Sequence, residues 1–297
     1  MGDRTRFREI VKSTRDALST GIILVKGSQY DLNSALAHSK LQTAYYPPDS
    51  QLSTWRSFSP AKPYPAIGNT VMEFLETTTL DAARGVSEQG YKPIGVLSFA
   101  SAEQPGGGFI NGANAQEESI ARSSTLYASL MTHTAQQFYT LHTSDGRNGF
   151  YTHAMVYSPE VVVFRRDDGE MVLPMMIDVL TSPAVHVYLV RKHMAGTAGT
   201  AIETDIKNTM RERMARILFL FERRQVPHLV LGSFGTGVFQ NDVAMVAQIW
   251  AELLCGPSAR FERSFHHVVF AVIDNPTYLR FTRAFEEAKA QYMHGGQ

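Results

Sequence analysis

The sequence predicts a three-layer α/β/α domain, and three observations carry that reading. In the second half, apolar runs and helical periodicities alternate at 229–234, 242–254, 268–273 and 278–292, as strands exchanging with helices do. Upstream, IGVLSFA at 94–100 is short and continuously apolar, the pattern of a strand buried on both faces. Hydrophobic residues make up 44% of the 297, enough to close a sizeable core.

In chain order, residues 4–20 set Phe7, Ile10, Val11 and Leu18 at helical spacing among charged groups, which predicts an amphipathic outer helix. The five prolines between 45 and 65 predict a long loop. Residues 69–89 read as a helix with Asn69 as its cap and Gly90 just past its end. Its apolar face would be Val71, Phe74, Leu75, Leu80, Ala83 and Val86. After strand 94–100 comes a glycine loop, then EESIARSSTLYASLMTH, read as one helix opening near Glu117. Further strands are expected at 155–157, 161–165, 177–180, 229–234 and 268–273, and helices at 202–225, 242–254 and 278–292. Met210, Met214, Ile217, Leu218 and Phe221 stripe the first of these helices as a core face. The small residues at 195–200 are the hinge candidate. One folding unit is expected, with 1–68 a helical and proline-rich extension packed on a core at 69–297.

Composition excludes several classes. Lys+Arg and Asp+Glu both number 28, so the formal net charge is zero, which argues against a non-specific nucleic-acid binder. Cys255 is the single cysteine, so neither an internal disulfide nor a thiolate metal cage is available. It has no activating neighbour in sequence and reads as an inert thiol. The Asp and His residues show no metal-ligand spacing, so no metal and no other cofactor is expected. The N-terminal stretch lacks a signal-peptide core, and no run approaches the ~18 apolar residues that span a bilayer. An intracellular monomer, cytoplasmic or nuclear, without membrane or direct nucleic-acid partners, is expected.

Two glycine-rich loops follow predicted strands: Gly106-Gly107-Gly108 after 94–100, and Gly235-Thr236-Gly237-Val238-Phe239 after 229–234. Open α/β sheets bind ligands beyond the carboxyl ends of their strands. Glycines there let backbone N–H groups approach and cradle an anion such as a diphosphate. Each loop is equally what a tight turn looks like. Neither is a Walker A loop, since no Gly-Lys-Ser/Thr follows. Glu117 and Glu118 fall at the predicted first turn of a helix, where unpaired N–H groups and the dipole favour negative charge. They read as helix-capping acids or, because they follow a glycine loop at a strand's end, as chemistry. Adjacent helical side chains diverge by ~100°. One carboxyl can therefore hold a substrate while the other faces a reacting atom, and partial desolvation suits a carboxyl to general-acid work. Gln116 offers an amide able to orient sugar hydroxyls or a carboxylate.

The stretch GGGFINGANAQEES resembles the GGG-x(6–8)-QEE signature of poly(ADP-ribose) glycohydrolases, here with seven intervening residues. The flanks VLSFASAEQPGGGF, QEESIARSSTLYASL, VVVFRRDDGEMV, LTSPAV and GSFGTGVFQND resemble the microbial-type catalytic domain, over roughly 70–290. The resemblance implies a macrodomain fold, a mixed sheet between helices. It also implies hydrolysis of the ribose–ribose O-glycosidic bond of poly(ADP-ribose), or of ADP-ribosylated proteins, with ADP-ribose as product. By the same resemblance Glu118 is the catalytic acid and then base, Glu117 grips ribose hydroxyls, and Gln116 completes the set. Gly106, Gly107 and Gly108 surround the distal ribose. Ala100, Ser101 and Asn111 join the substrate-binding residues. Gly235, Thr236, Gly237, Val238 and Phe239 form the diphosphate loop, with Phe239 near the distal ribose. The chain departs from the family at Ser98, where an asparagine or aspartate is usual, at Gln104 for asparagine, and at Phe234 and Thr236 for tryptophan and cysteine. A non-catalytic ADP-ribose-binding macrodomain and a mono-ADP-ribosyl hydrolase are the alternatives; the intact QEE argues against a pure reader.

Overall fold

A computed structural model of the chain describes residues 3–57, 70–194, 199–256 and 259–294. The cap expected at Asn69, most of the hinge candidate (195–198) and residues 58–65 of the proline-rich stretch lie outside the described residues. In chain order the elements are α1 (Asp3–Thr20), β1 (Ile22–Val25), β2 (Ser28–Asp31), α2 (Asn33–Gln42), β3 (Ala44–Tyr46), β4 (Val71–Leu75), α3 (Thr79–Glu88) and β5 (Ile94–Phe99). Then come α4 (Gln116–Ser123), α5 (Leu126–Leu130), α6 (His133–Thr143), β6 (Met155–Arg165), β7 (Met171–Ser182) and α7 (Val187–His193). The chain closes with α8 (Thr200–Arg223), β8 (His228–Leu231), α9 (Val243–Leu254), β9 (His267–Ala271) and α10 (Asn275–His294). Among the described residues no helix is long and apolar enough to cross a membrane.

The chain divides into two compact units, each assembled from three separated stretches. The first gathers Met1–Pro47, Ala83–Ser144 and Ala154–Ser182. Its strands lie in the order β3-β6-β7-β5; the first two pairings are antiparallel and β7–β5 is parallel, so the sheet is mixed. β1 and β2 form a hairpin closed by Lys26 (φ 50°) and Gly27 (φ 82°), two left-handed residues that match the twist of the strands. Helix α1 and this hairpin share a core with β6, through Ala17, Ile23, Val25, Leu32, Val162 and Phe164.

The second unit gathers Pro48–Ala82, Asp145–His153 and Pro183–Gln297. Its strands β8-β9-β4 are all parallel. Phe74 of β4 and Phe270 of β9 stack at 5.3 Å, and Phe285 of α10 meets both at 5.0 and 5.1 Å. Such offset and edge contacts add to the burial of large apolar surfaces.

Three expectations need correction. The helix expected at 69–89 is a strand followed by a helix: Val71–Leu75 pairs residue for residue with His267–Ala271. Val71, Phe74 and Leu75 satisfy helical spacing over five residues, too short a window to separate the two periods. The helix begins only where the Thr78 hydroxyl accepts the Asp81 N–H at 3.1 Å. The single helix expected from Glu117 onward breaks at Ser124, whose extended backbone (φ −147°) bridges Val163. Three consecutive hydroxyl residues stand there, and they compete for backbone groups: Ser124 Oγ donates to the Ile120 carbonyl at 2.7 Å and Thr125 Oγ1 accepts the Val162 N–H at 2.9 Å. The two short strands around 155–165 are one strand with a register shift between Ser158 and Val161. The irregularity is held by Asp178, which accepts the Glu160 N–H at 2.9 Å.

Candidate active site

The glycine loop and the two glutamates lie together in the first unit. β5 ends at Phe99, and the chain turns sharply through Ser101, whose hydroxyl accepts the N–H groups of Glu103 and Gln104 at 3.2 and 3.1 Å. Gly106 (φ +69°) and Gly107 (φ +60°) are both left-handed. Phe109 then drops into a small core with Val11 of α1 and Ala121 of α4, and packs on Tyr127 at 4.8 Å. Gly112 (φ +77°) returns the chain so close to α1 that an added Cβ would lie 2.4 Å from the Arg4 carbonyl oxygen. The loop is thus seated between two helices of its own unit.

Gln116 opens α4 and spends its amide on β5. Its Oε1 accepts the Phe99 N–H at 2.8 Å and its Nε2 donates to the Leu97 carbonyl at 2.7 Å. The side chain therefore acts as a strand partner and pins the helix start to the strand end.

The glutamates divide as the ~100° divergence of neighbouring helical residues requires. Glu117 turns inward and is 3% exposed. Its Oε2 accepts the Ser101 N–H at 2.6 Å, while Oε1 is buried without a hydrogen-bond partner among the described residues. Burial, against the bonding to Ser101 and reinforced by the charge of Glu118, holds this carboxyl well above the usual carboxylate range. Glu118 is half-buried. Its Oε1 accepts the Gly108 N–H at 2.9 Å and its Oε2 the Ala115 N–H at 3.2 Å, a reach back to the helix start like that of a capping box. At Gly107 an added Cβ would stand 2.4 Å from Glu118 Oε1 and 2.9 Å from Glu117 Oε2. The absence of a side chain there is what allows both carboxyls to close on the loop.

The neighbours of this pair are also committed. Arg122 is buried, sits 4.4 Å over the Phe7 ring and donates to Asn114 Oδ1 at 2.5 Å. Thr14 of α1 donates to the Arg122 carbonyl at 2.5 Å, and Ser119 donates to Asp167. Tyr139 of α6 is buried, and burial together with the charge of Glu117 raises its phenol. Ala100 is buried and donates to the Ser182 carbonyl at 3.1 Å. Asn111 is exposed, its carbonyl taking Arg8 Nε at 3.2 Å. Ser98 is fully buried in register with Thr181. Among the described residues no group of three or more His, Cys, Asp or Glu is placed to hold a metal. Burial pushes the Cys255 thiol up to about 11, in keeping with an inert side chain.

The second glycine loop belongs to the second unit. Phe234 is buried beneath it. Gly235 (φ +75°) needs its glycine: a Cβ would meet the Ala184 Cβ at 2.3 Å and Asn241 Nδ2 at 2.7 Å. Asn241 bonds across the turn to the carbonyls of Gly235 and Val185 at 2.9 and 2.8 Å. The Thr236 hydroxyl donates back to the Ser233 carbonyl at 2.9 Å. The N–H groups of Gly237, Val238 and Phe239 donate to nothing among the described residues, and Val238 is 77% exposed. Exposed backbone N–H groups without internal partners are able to donate to an anionic ligand. Phe239 stacks on His186 at 4.2 Å. Sequence reading missed that stack, since nothing in either segment marks the other.

A model of the microbial-type PARG catalytic domain matches residues 11–166, which contain the glycine loop, QEE and the α1 residues from Val11 onward. This chain belongs to the microbial-type poly(ADP-ribose) glycohydrolase family. The structure of poly(ADP-ribose) glycohydrolase from Thermomonospora curvata is 36% identical, with a TM-score of 0.84 over 94% of this chain and 99% of that one. The same enzyme bound to the inhibitor ADP-HPD gives 36% and 0.82 over 94% and 99%. The glycohydrolase from Deinococcus radiodurans in complex with ADP-ribose is 32% identical, with a TM-score of 0.75 over 90% of this chain and 100% of that one. A search of curated proteins finds no match. The glycohydrolase fold, a mixed α/β arrangement, is therefore the fold of this chain, as the sequence led us to expect.

The buried carboxyl makes a prediction about pH. A carboxyl held neutral by folding keeps its proton to higher pH than the unfolded chain does. The stability of that neutral form is full below the unfolded value of 4.5 and is lost as pH rises through the raised folded value. Glu117→Gln removes this titration. The melting temperature of E117Q relative to wild type is expected to shift in the variant's favour as pH rises above 4.5. A difference independent of pH would show that Glu117 ionises normally in the folded protein.

Proposed function

We propose that this chain hydrolyses the ribose–ribose bond of poly(ADP-ribose), with Glu118 as the group that gives and then takes the proton. The observation that carries the reading is the closure of the Gly107–Gly108 backbone on the Glu118 carboxyl, at a strand's carboxyl end where α/β sheets take ligands. Family membership and the ADP-ribose complex of the Deinococcus radiodurans relative support it.

In the proposed sequence, protonated Glu118 donates to the leaving ribose oxygen as positive charge develops at the anomeric carbon. Glu118, now a carboxylate, draws a proton from water as it attacks that carbon. Most glycosidases divide these tasks between carboxyls ~5–9.5 Å apart on opposite sides of the bond. Here the other glutamate, Glu117, points inward to Ser101, so one residue serves both steps and Glu117 positions the loop. By the family resemblance, the N–H groups of Gly237, Val238 and Phe239 are assigned to the ligand diphosphate. Gly106, Gly107, Gly108, Ala100, Ser101 and Asn111 are assigned to the ribose side.

Incubation with poly(ADP-ribose) and with mono-ADP-ribosylated protein tests the reading. Free ADP-ribose from the polymer is expected. Binding without release would make the chain a reader, and release from the mono-modified protein alone would make it a different hydrolase. For the second loop, Gly235→Ala must push on Ala184 and Asn241, so ADP-ribose affinity by calorimetry should fall about tenfold or more. Unchanged affinity would remove this loop from the ligand site.

A further inference from the structure

We propose that the basic groove on α1 holds the diphosphate of the ADP-ribose unit on the leaving side of the scissile bond, and so makes the enzyme prefer polymer over short products. This rests on the functional reading above and names a site for the part of the substrate that the glycine loops do not take.

Arg8, Lys12 and Arg15 stand at i, i+4 and i+7 of α1 and project along one face, all exposed. They line an open groove of about 340 Å³ with Val11, Asp16 and Ile110. Asp16 is the one carboxylate in that lining, and among the described residues none of the three cations is in an ion pair. In a chain of zero net charge, this is a local excess of positive charge.

A charged helix face is ordinarily just solvated. Its connection to the catalytic loop sets this one apart. Ile110 is two residues beyond Gly108, whose N–H donates to Glu118. Consecutive Cα atoms are ~3.8 Å apart, so Ile110 lies within about 7.6 Å of Gly108, Cα to Cα. Arg8 is tied to the same loop through the Asn111 carbonyl. Ile110 is 43% exposed beside the cations and Val11 is buried beneath them, which gives the groove an apolar flank as well as charge. Each unit of the polymer offers a matching pair of features, a nucleoside half and a diphosphate. After the terminal unit leaves as ADP-ribose, the chain that remains is polyanionic, and a cationic track beside the cut holds it for the next turnover.

The test is the double variant Lys12→Glu/Arg15→Glu, which leaves the Arg8 bond in place, measured against wild type with a polymer of about ten units and with free ADP-ribose. The kcat/KM on polymer is expected to fall about tenfold at low salt, carried by KM, with ADP-ribose affinity unchanged. The slope of log kcat/KM against log salt should flatten by ~0.7 for each phosphate that the variant no longer neutralises. Exchange of the two cations, Lys12→Arg with Arg15→Lys, should restore wild-type values. An undiminished kcat/KM on polymer, with wild type active, would overturn the groove while leaving the functional reading standing. Equal loss for polymer and for ADP-ribose would assign the effect to general damage and also overturn it. A wild type that binds ADP-ribose but leaves polymer intact would fail the functional reading; direct binding of polymer then still decides the groove.

Discussion

Glu118→Gln is expected to reduce release of ADP-ribose from polymer by ~10²–10⁴-fold, the range assigned to a positioned general acid. Binding of ADP-ribose should stay within about tenfold. The substitution preserves volume, and the Gln oxygen can still accept one of the two N–H groups, from Gly108 or Ala115, that Glu118 now holds. The amide NH2 must then face the other donor, which leaves one N–H unmet at a cost of ~1–3 kcal/mol. A modest fall in melting temperature is therefore expected, and the kinetic loss should far exceed it. Turnover near the wild-type rate in a folded E118Q would remove Glu118 from its role.

Gly107→Ala should be nearly as damaging, for a steric reason. The residue sits at φ +60°, where an L side chain costs ~1–2 kcal/mol. The new methyl would also stand 2.4 Å from Glu118 Oε1 and 2.9 Å from Glu117 Oε2, so the carboxyls or the loop must move. Displacing a reacting group by ~1 Å can cost about 10²-fold, and we expect a kcat loss of that order. Gly27→Ala is the matched control. Gly27 is also left-handed, at φ +82°, but nothing lies within 4 Å of its absent Cβ. It should lose stability through backbone strain alone and keep its activity. Equal kinetic losses in the two variants would mean that the close approach at Gly107 has no special part in catalysis.

Much of this site was legible because it is local. A buried strand, three glycines and a helix opening on QEE all lie within thirty residues, and each leaves its own mark in composition or period. Less legible was anything that depends on which way a side chain turns. Glu117 and Glu118 are the same residue type one step apart, and only the packing of α4 on β5 decides that the first is enclosed. The amide of Gln116 bonds to Leu97 and Phe99, nearly twenty residues away, and no periodicity reports such a bond. Strand β4 was hidden for a different reason: five residues carry too little periodicity to tell a strand from the helix that follows. The seat of α1 on the loop rests on the Arg4 carbonyl at Gly112, a backbone approach that side-chain patterning cannot announce.

The first compact unit draws on the opening stretch Met1–Pro47 as well as on the segments that carry the glycine loop and QEE. Trimming the gene at its front, a common step in preparing a minimal fragment, would remove the helix that Phe109 and Gly112 lean on and strand β3 from the edge of the sheet. Such a shortened product should survive poorly in expression and lose turnover even with every signature residue intact. A truncation series judged on the presence of the motif alone would mistake a broken scaffold for a dispensable leader.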